Sequence, residues 1–339
     1  MQLSFKDYLK YLSMQPEHYV TIFDNNFIPQ GLCLHNSLRE NEEKFYLWVI
    51  CLDDECKTTL DNIGYSDIKT ISLKNVETTE LLALKPTRNK AEYCWTLTPF
   101  APRWVFEIDP TIKRVTYVDA DMYFFKSPQP LFEEFESSGK AVMITDHFYA
   151  PEFDQSATSG QYCVQFMPFV RQASEPVRKW WEKRCVEWCY QRMEKGKFGD
   201  QKYVESFPII FPDKVHICQQ ENAFLAPWNA SRYPYSTCIG YHFHGLRLLD
   251  HGTVRLYPSE YLIPRPTKKN IYHKYMSVFS SALLVTEWNL EKKTKKVKTS
   301  FLPRLRDNMH RLFFLYFNKL IEKGEKYKKD NESLFVLFL

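Results

Sequence analysis

Two carboxylates stand out in this sequence by their spacing. Asp119 and Asp121 form its only Asp-x-Asp, inside the stretch 114–126, RVTYVDADMYFFK. Val115, Tyr117 and Val118 are strand formers, and residues two apart in a strand project to the same face. The spacing therefore predicts two carboxylates aimed at one point where the strand ends. Like charges that close repel unless a cation lies between them. Oxygen ligands favour a hard divalent cation such as Mg²⁺ or Mn²⁺, and open α/β sheets gather ligands at the carboxyl ends of their strands. The competing reading is a loop whose Asp residues only cap the following helix. A second pair has the same spacing: His242 and His244 in YHFHG, 241–245. Alternation puts both imidazoles on one side of an extended segment, where either can join the carboxylates as a ligand.

The elements needed to position these groups are legible along the chain. Tyr19–Phe23 reads as a buried strand followed by a turn at Asp24-Asn25-Asn26, then a helix over 31–39 and a second strand over 45–52. A helix over 58–63 and a strand over 68–73 follow. Strands alternating with helices at this spacing imply a parallel sheet. Neither G-x-G-x-x-G nor G-K-[ST] occurs, which disfavours dinucleotide and P-loop sites. Residues 88–107 predict a helix interrupted at Pro99 and Pro102 that leads into the Asp-x-Asp strand. Beyond that strand come a helix over 130–135, strands over 141–145 and 162–169, and a Trp-rich helix over 177–190 whose Trp180, Trp181, Cys185 and Trp188 read as core.

Composition narrows the function classes. The 339 residues carry a net charge of +4, too little to point to nucleic acid. Residues 290–330 hold thirteen basic against five acidic residues, so the basic character belongs to the C-terminal segment. Nine cysteines without a C-x-x-C pair imply reduced thiols and a cytoplasmic location. The first residues, MQLSFKDYLKYL, are amphipathic over 1–15 rather than a signal peptide, and no run reaches the roughly 18 apolar residues of a membrane span. Asn229-Ala230-Ser231 fits a glycosylation sequon, which carries no meaning in a cytosolic chain.

Taken in order, YVDAD at 117–121, FGDQ at 198–201, YHFHG at 241–245 and the approach segment EYCWTLTPF at 92–100 resemble bacterial glycosyltransferases of the GT-A architecture related to glycosyltransferase family eight. The resemblance spans roughly residues 18–260. It implies an α/β fold with a Rossmann-like, mainly parallel central sheet, a nucleotide-diphosphate sugar donor (UDP by default), a divalent metal (Mn²⁺ or Mg²⁺) and anomeric retention. By it, Asp119, Asp121 and His242 hold the metal, with His244 the nearby rival and a candidate acceptor contact. Thr21, Phe23 and Asp24 lie where the nucleotide base is held, and Arg88, or Lys90 in its place, approaches the diphosphate. Asp200 and Gln201 line the reacting centre, and Asp146 meets a glycan or lipid-linked acceptor of surface polysaccharide synthesis. Two departures stand out. Arg247-Leu248-Leu249 follows the His motif where the family continues Lys-Pro-Trp, and Cys163 stands where related sequences often carry Asn.

Other readings remain beside this one. A sugar nucleotidyltransferase also binds nucleotide and metal at strand ends, but opens on a Gly-rich loop where this chain has FDNNFIPQ. A GT-A-fold interaction protein that lost its chemistry would have degraded motifs, and here both Asp-x-Asp and Asp-Gln are intact. The composition shift near 265 divides a catalytic domain, 1–265, from a basic helical extension, 266–339. Within the extension, Leu302, Leu305, Met309, Leu312, Tyr316 and Leu320 recur at helical spacing between basic residues. That pattern fits a helix packed on the domain or one lying peripherally on an anionic membrane surface, with Leu334–Leu339 inserting alongside.

Overall fold

The computed structural model describes residues 15–249, 253–286 and 334–336. The chain forms two compact units, one of Met1–His244 with Tyr261–Thr286 and one of Gly245–Glu260 with Glu287–Leu339. The division expected at residue 265 does not coincide with these units, because the helix that follows it belongs to the first.

The first unit begins as the apolar runs dictate. Strand β1 (Glu17–Phe23) leads through a short turn into helix α1 (Ile28–Asn41), β2 (Phe45–Cys51), α2 (Asp54–Ile63) and β3 (Ile68–Ser72). Asp53 caps α2 by accepting the Cys56 N–H, and Gly64 ends the helix in the left-handed conformation that suits glycine. The Pro-rich approach forms two helices, α3 (Lys90–Leu97) and α4 (Ala101–Ile108), joined by a 3-10 turn at Thr98–Phe100. Asn89 and Glu92 complete a capping box at the start of α3. Strands β4 (Arg114–Val118) and β5 (Met122–Phe124) flank the Asp-x-Asp, followed by α5 (Gln129–Ser138), β6 (Val142–Asp146), β7 (Tyr162–Cys163), β8 (Phe166–Val170) and α6 (Glu175–Glu187). Strands β9 (Val215–Ile217), β10 (Phe224–Leu225) and β11 (Gly240–His242) and helix α7 (His273–Val285) complete the unit.

The central sheet runs β3-β2-β1-β4-β8-β6-β7, with β9 also on β6. Strands β1, β2, β3 and β4 pair parallel, as do β6 and β9. Strand β8 lies antiparallel between β4 and β6. Strands β1, β2 and β4 are nearly continuous in buried residues, as a sheet covered on both faces requires. Trp104 and Trp181 are among the largest side chains fully enclosed. Trp181 and Cys185 lie in the core as the helical stripe implied, while Trp180 packs edge-on against Phe207.

A smaller sheet, β10-β11-β5, carries the histidine pair. Strand β11 pairs antiparallel with β5, His242 opposite Met122. Its alternation is strict. Tyr241 and Phe243 face Tyr272 and Tyr275, the Phe243 and Tyr275 rings stacking at 3.7 Å, while His242 and His244 face the opposite way onto Trp228. Helix α7 thus backs the strand that carries the histidines.

The second unit contains an antiparallel sheet of β12 (Arg247–Leu248), β13 (Thr253–Arg255) and β14 (Leu334–Val336). Leu334–Val336 pairs antiparallel with β13, Phe335 opposite Val254. The expected helices over 1–15 and 301–321 lie outside the described residues, save Gln15, which begins the described chain. Among the described residues no helix is long and apolar enough to cross a membrane. All nine cysteines are free thiols, and all but Cys94 are buried.

Candidate functional site

The Asp-x-Asp does not lie on a strand. Strand β4 stops at Val118, and Asp119–Asp121 form a turn, closed by the Met122 N–H donating to the Asp119 carbonyl at 3.1 Å. The turn, rather than strand alternation, brings the carboxylates together. It is pinned on two sides: the Asp119 N–H donates to the Gln165 carbonyl at 3.2 Å and the Phe243 N–H to the Asp121 carbonyl at 2.8 Å. The second bond continues the β5–β11 register, and it delivers His242 to the carboxylates.

Ligand atoms of Asp119, Asp121 and His242 lie within 4.8 Å of one another. His242 Nε2 is 3.1 Å from Asp121 Oδ1 and 3.8 Å from Asp119 Oδ2. Its other ring nitrogen, Nδ1, meets Gln165 Oε1 at 3.1 Å, which makes Nδ1 the donor and orients Nε2 toward the acids. The Tyr117 hydroxyl donates to Asp119 Oδ1 at 2.9 Å, and the Cys163 thiol also contacts His242. Two carboxylates and an imidazole whose far nitrogen is already engaged fit a hard or borderline divalent cation. The charges agree. Burial pushes the Asp119 carboxyl above its ordinary range. Burial opposes charge on His242, yet Asp121 and Asp119 hold it well above the usual histidine range.

Asp200 joins this centre. It is buried, and burial followed by the Asp119 charge pushes it up to about 7, against a hydrogen bond from Thr98. Its carbonyl accepts the Trp181 indole N–H at 2.9 Å. Gln201 turns elsewhere and donates its amide to the Ser159 carbonyl at 2.7 Å. Asp146, at the end of β6, accepts the Phe148 N–H at 2.6 Å and the Gln161 amide at 2.7 Å. His147 beside it is buried, and burial pushes it down to about 3. Trp228 stands between His147 and His242, its ring 5.2 and 5.3 Å from theirs, and so ties the Asp146 loop to the metal-type triad. His244 is exposed on the same aromatic ring.

The residues expected at the first strand divide. Asp24 lies at its end and is paired with Lys90, which is 65% exposed at the start of α3. Asn26 also donates to Asp24, at 3.1 Å. Thr21 is fully enclosed, its hydroxyl without a hydrogen-bond partner. Phe23 lies over Gly31, where an added Cβ would come within 2.4 Å of the ring. Arg88 is buried, donating to the Thr96 hydroxyl and, at 2.7 Å, to the Val186 carbonyl, with Tyr190 under its guanidinium. Of the two basic candidates, Lys90 is the one presented to solvent beside Asp24. Asn229 of the sequon is buried, its amide donated to the carbonyls of His147 and Phe224. Sequence reasoning missed Gln165, Thr98 and Trp228. Gln165 lies in the stretch 162–166, YCVQF, but only the β4–β8 neighbourhood reveals that it orients His242.

No family model matches the chain. It is similar to two uncharacterised proteins of Bacillus subtilis (strain 168). YfnF is 26% identical over 70% of this chain and 84% of its own length. YfnD is 28% identical over 78% of this chain and 88% of its own. Among solved structures, the bifunctional glycosyltransferase WbbM aligns with a TM-score of 0.52 at 11% identity, covering 84% of this chain and 52% of that one. The galactosyltransferase LgtC, solved with donor and acceptor sugar analogues, aligns with a TM-score of 0.50 at 11% identity, covering 78% of this chain and 95% of that one. The chain has the GT-A glycosyltransferase fold, a mixed α/β structure on a mostly parallel sheet.

Proposed function

We propose that this protein is a glycosyltransferase, of the kind related to family eight, that moves a sugar with retention from a nucleotide diphosphate, a UDP-sugar by default, to a glycan or lipid-linked acceptor in surface polysaccharide synthesis. The observation that carries the proposal is the triad Asp119, Asp121 and His242, closed within 4.8 Å at the strand ends of this fold.

In this reading Asp119, Asp121 and His242 hold Mn²⁺ or Mg²⁺. A divalent cation there supplies Lewis-acid stabilisation to a diphosphate leaving group. The chain's own groups do the rest. Gln165 and Tyr117 fix the ligands before donor arrives, so little reorganisation is left for the reaction. Lys90, at the mouth beside Asp24, exchanges that carboxylate for donor phosphates. Asp24 with Asn25 and Asn26 receives the nucleoside at the end of β1. Asp200, as a carboxylate, stabilises the positive charge that grows on the sugar ring. Asp146 accepts a hydrogen bond from the acceptor hydroxyl.

The test is a thermal-shift panel of UDP-glucose, UDP-galactose, UDP-N-acetylglucosamine and their ADP and GDP counterparts, each with and without Mn²⁺. A donor at about a hundred times its dissociation constant raises stability by about 2.7 kcal/mol, and the cognate one is hydrolysed slowly in the presence of metal. Binding with no turnover of any donor points instead to an inactive relative. No shift with any nucleotide sugar overturns the proposal.

A further inference from the structure

Lys202 follows the Asp200-Gln201 pair and has no assigned role. Its side chain is only 12% exposed, unusual for a lysine. The ammonium donates to the Ser156 carbonyl at 2.9 Å and pairs with Glu205 Oε2 at 2.8 Å. Glu205 spends its other oxygen on the Gln161 N–H, at 2.9 Å. One ion pair thus grips both ends of the loop 156–161. Gly160 lies flat over the grip: a Cβ there would stand 3.4 Å from Lys202 Cδ and 3.6 Å from Glu205 Oε1, at a φ of +96° that side chains rarely adopt.

Two of the gripped loop's other bonds lead to different parts of the site. The Ser159 carbonyl receives the Gln201 amide at 2.7 Å. The Gln161 amide donates to Asp146 Oδ2 at 2.7 Å. The loop is therefore a spacer between Gln201 and Asp146, held on the Gln201 side by Lys202–Glu205 and on the Asp146 side by the Gln161 carbonyl, which accepts the His147 N–H at 2.9 Å. An ion pair whose lysine is largely buried and whose two partners each hold one further bond is directional, and removing one partner leaves the other uncompensated.

We propose that Lys202 and Glu205 are positioning residues whose ion pair sets the placement of Asp146 relative to Gln201, and with it the placement of acceptor relative to reacting centre. The inference rests on the glycosyltransferase reading for the roles of Asp146 and Gln201. The mechanical part stands on the bonds alone.

The test compares Lys202→Met, which keeps the stem and loses the charge, with Lys202→Arg, which keeps the charge. Hydrogen exchange by mass spectrometry follows segments 146–149, 156–161 and 200–203. Lys202→Met is expected to raise exchange about tenfold in 156–161 and also in 146–149, with recovery in Lys202→Arg. In Mn²⁺-dependent hydrolysis of whichever UDP-sugar shifts the melting temperature, Lys202→Met lowers kcat about tenfold and leaves donor KM within twofold, again with recovery in Lys202→Arg. Should Lys202→Met fail to fold, Glu205→Gln, which preserves size and shape, takes its place. Exchange unchanged in 146–149, or an equal loss in both Lys202 variants, overturns the inference. If the wild-type protein hydrolyses no nucleotide sugar while exchange behaves as expected, the glycosyltransferase reading fails and the clamp remains.

Discussion

The two ends of the central sheet handle charge in opposite ways. At the amino ends of β1 and β4, Arg114 lies between Glu17 and Glu136, its bond to Glu136 Oε1 2.6 Å long and its guanidinium over Phe132. Nearby, buried His35 meets Asp67 at 2.8 Å. Each charge there has its partner inside the fold. At the carboxyl ends, Asp119 and Asp121 share one imidazole, Asp200 feels the Asp119 charge, and Lys90 is engaged by Asp24. One end of the same strands is internally neutralised, whereas the other concentrates negative charge. On the proposed function, the contrast separates ionic groups that serve stability from ionic groups reserved for a ligand.

Four experiments would break or sharpen that contrast. The largest effect belongs to Asp119→Asn and Asp121→Asn. Each should reduce Mn²⁺-dependent donor hydrolysis by at least about a hundredfold, with the protein still folded, because relief of the carboxylate repulsion offsets part of the lost attraction to His242. Full activity in either variant would falsify the metal assignment. At the other end the sign reverses. Arg114→Met strands two largely buried carboxylates and should cost about 3–5 kcal/mol in urea unfolding, with the activity of the remaining folded protein intact. A stability loss below about 1 kcal/mol would mean that this end is not held by its charges.

A smaller effect distinguishes the histidines and their support. His242→Ala should weaken Mn²⁺ binding about a hundredfold and Gln165→Ala about tenfold, as is usual for an outer partner. His244→Ala should stay within twofold. Calorimetric titration decides, and a larger loss at His244 than at His242 would move the ligand. The smallest effect is at His18 on β1, whose Nδ1 accepts the Trp48 indole N–H at 3.1 Å. Burial lowers its pKa to about 4, with Asp109 opposing. A folded pKa below the unfolded 6.5 means stability that is present above pH 6.5 and lost as the pH falls toward 4. Allowing for partial exposure, wild type should lose about 1 kcal/mol more than His18→Phe between pH 7 and pH 5. Parallel pH profiles for the two proteins would remove His18 from the account.

Much of the fold was legible because local patterns fixed it. The apolar runs of β1, β2 and β3 and the prolines at 99 and 102 mark elements that form as read. The candidate ligands were legible for a related reason: Asp119 and Asp121 are neighbours in sequence, and the alternation of YHFHG survives in β11. What stayed hidden depends on strands that meet from far apart. That Gln165 orients His242, or that Asp200 faces Asp119 under Thr98, follows from where β8 and the 3-10 turns lie. Arg88 shows the same limit from the other side. The resemblance gave it to the diphosphate, and only the fold reveals that it is buried with its terminal nitrogens on Thr96 and Val186.

The pairing of β11 with β5 has a consequence for how the molecule comes into being. The two acids emerge from the ribosome long before the histidine that completes their triad. The turn carrying Asp119 and Asp121 is not closed on its second side until the Phe243 N–H reaches the Asp121 carbonyl, and α7, later still, supplies the aromatic backing of that strand. A nascent or truncated chain can build the β1–β4 sheet and still lack the triad. Long-range pairing of this sort is slow to form, so on the proposed function capture of metal is expected to mark the last step of maturation rather than to guide the first.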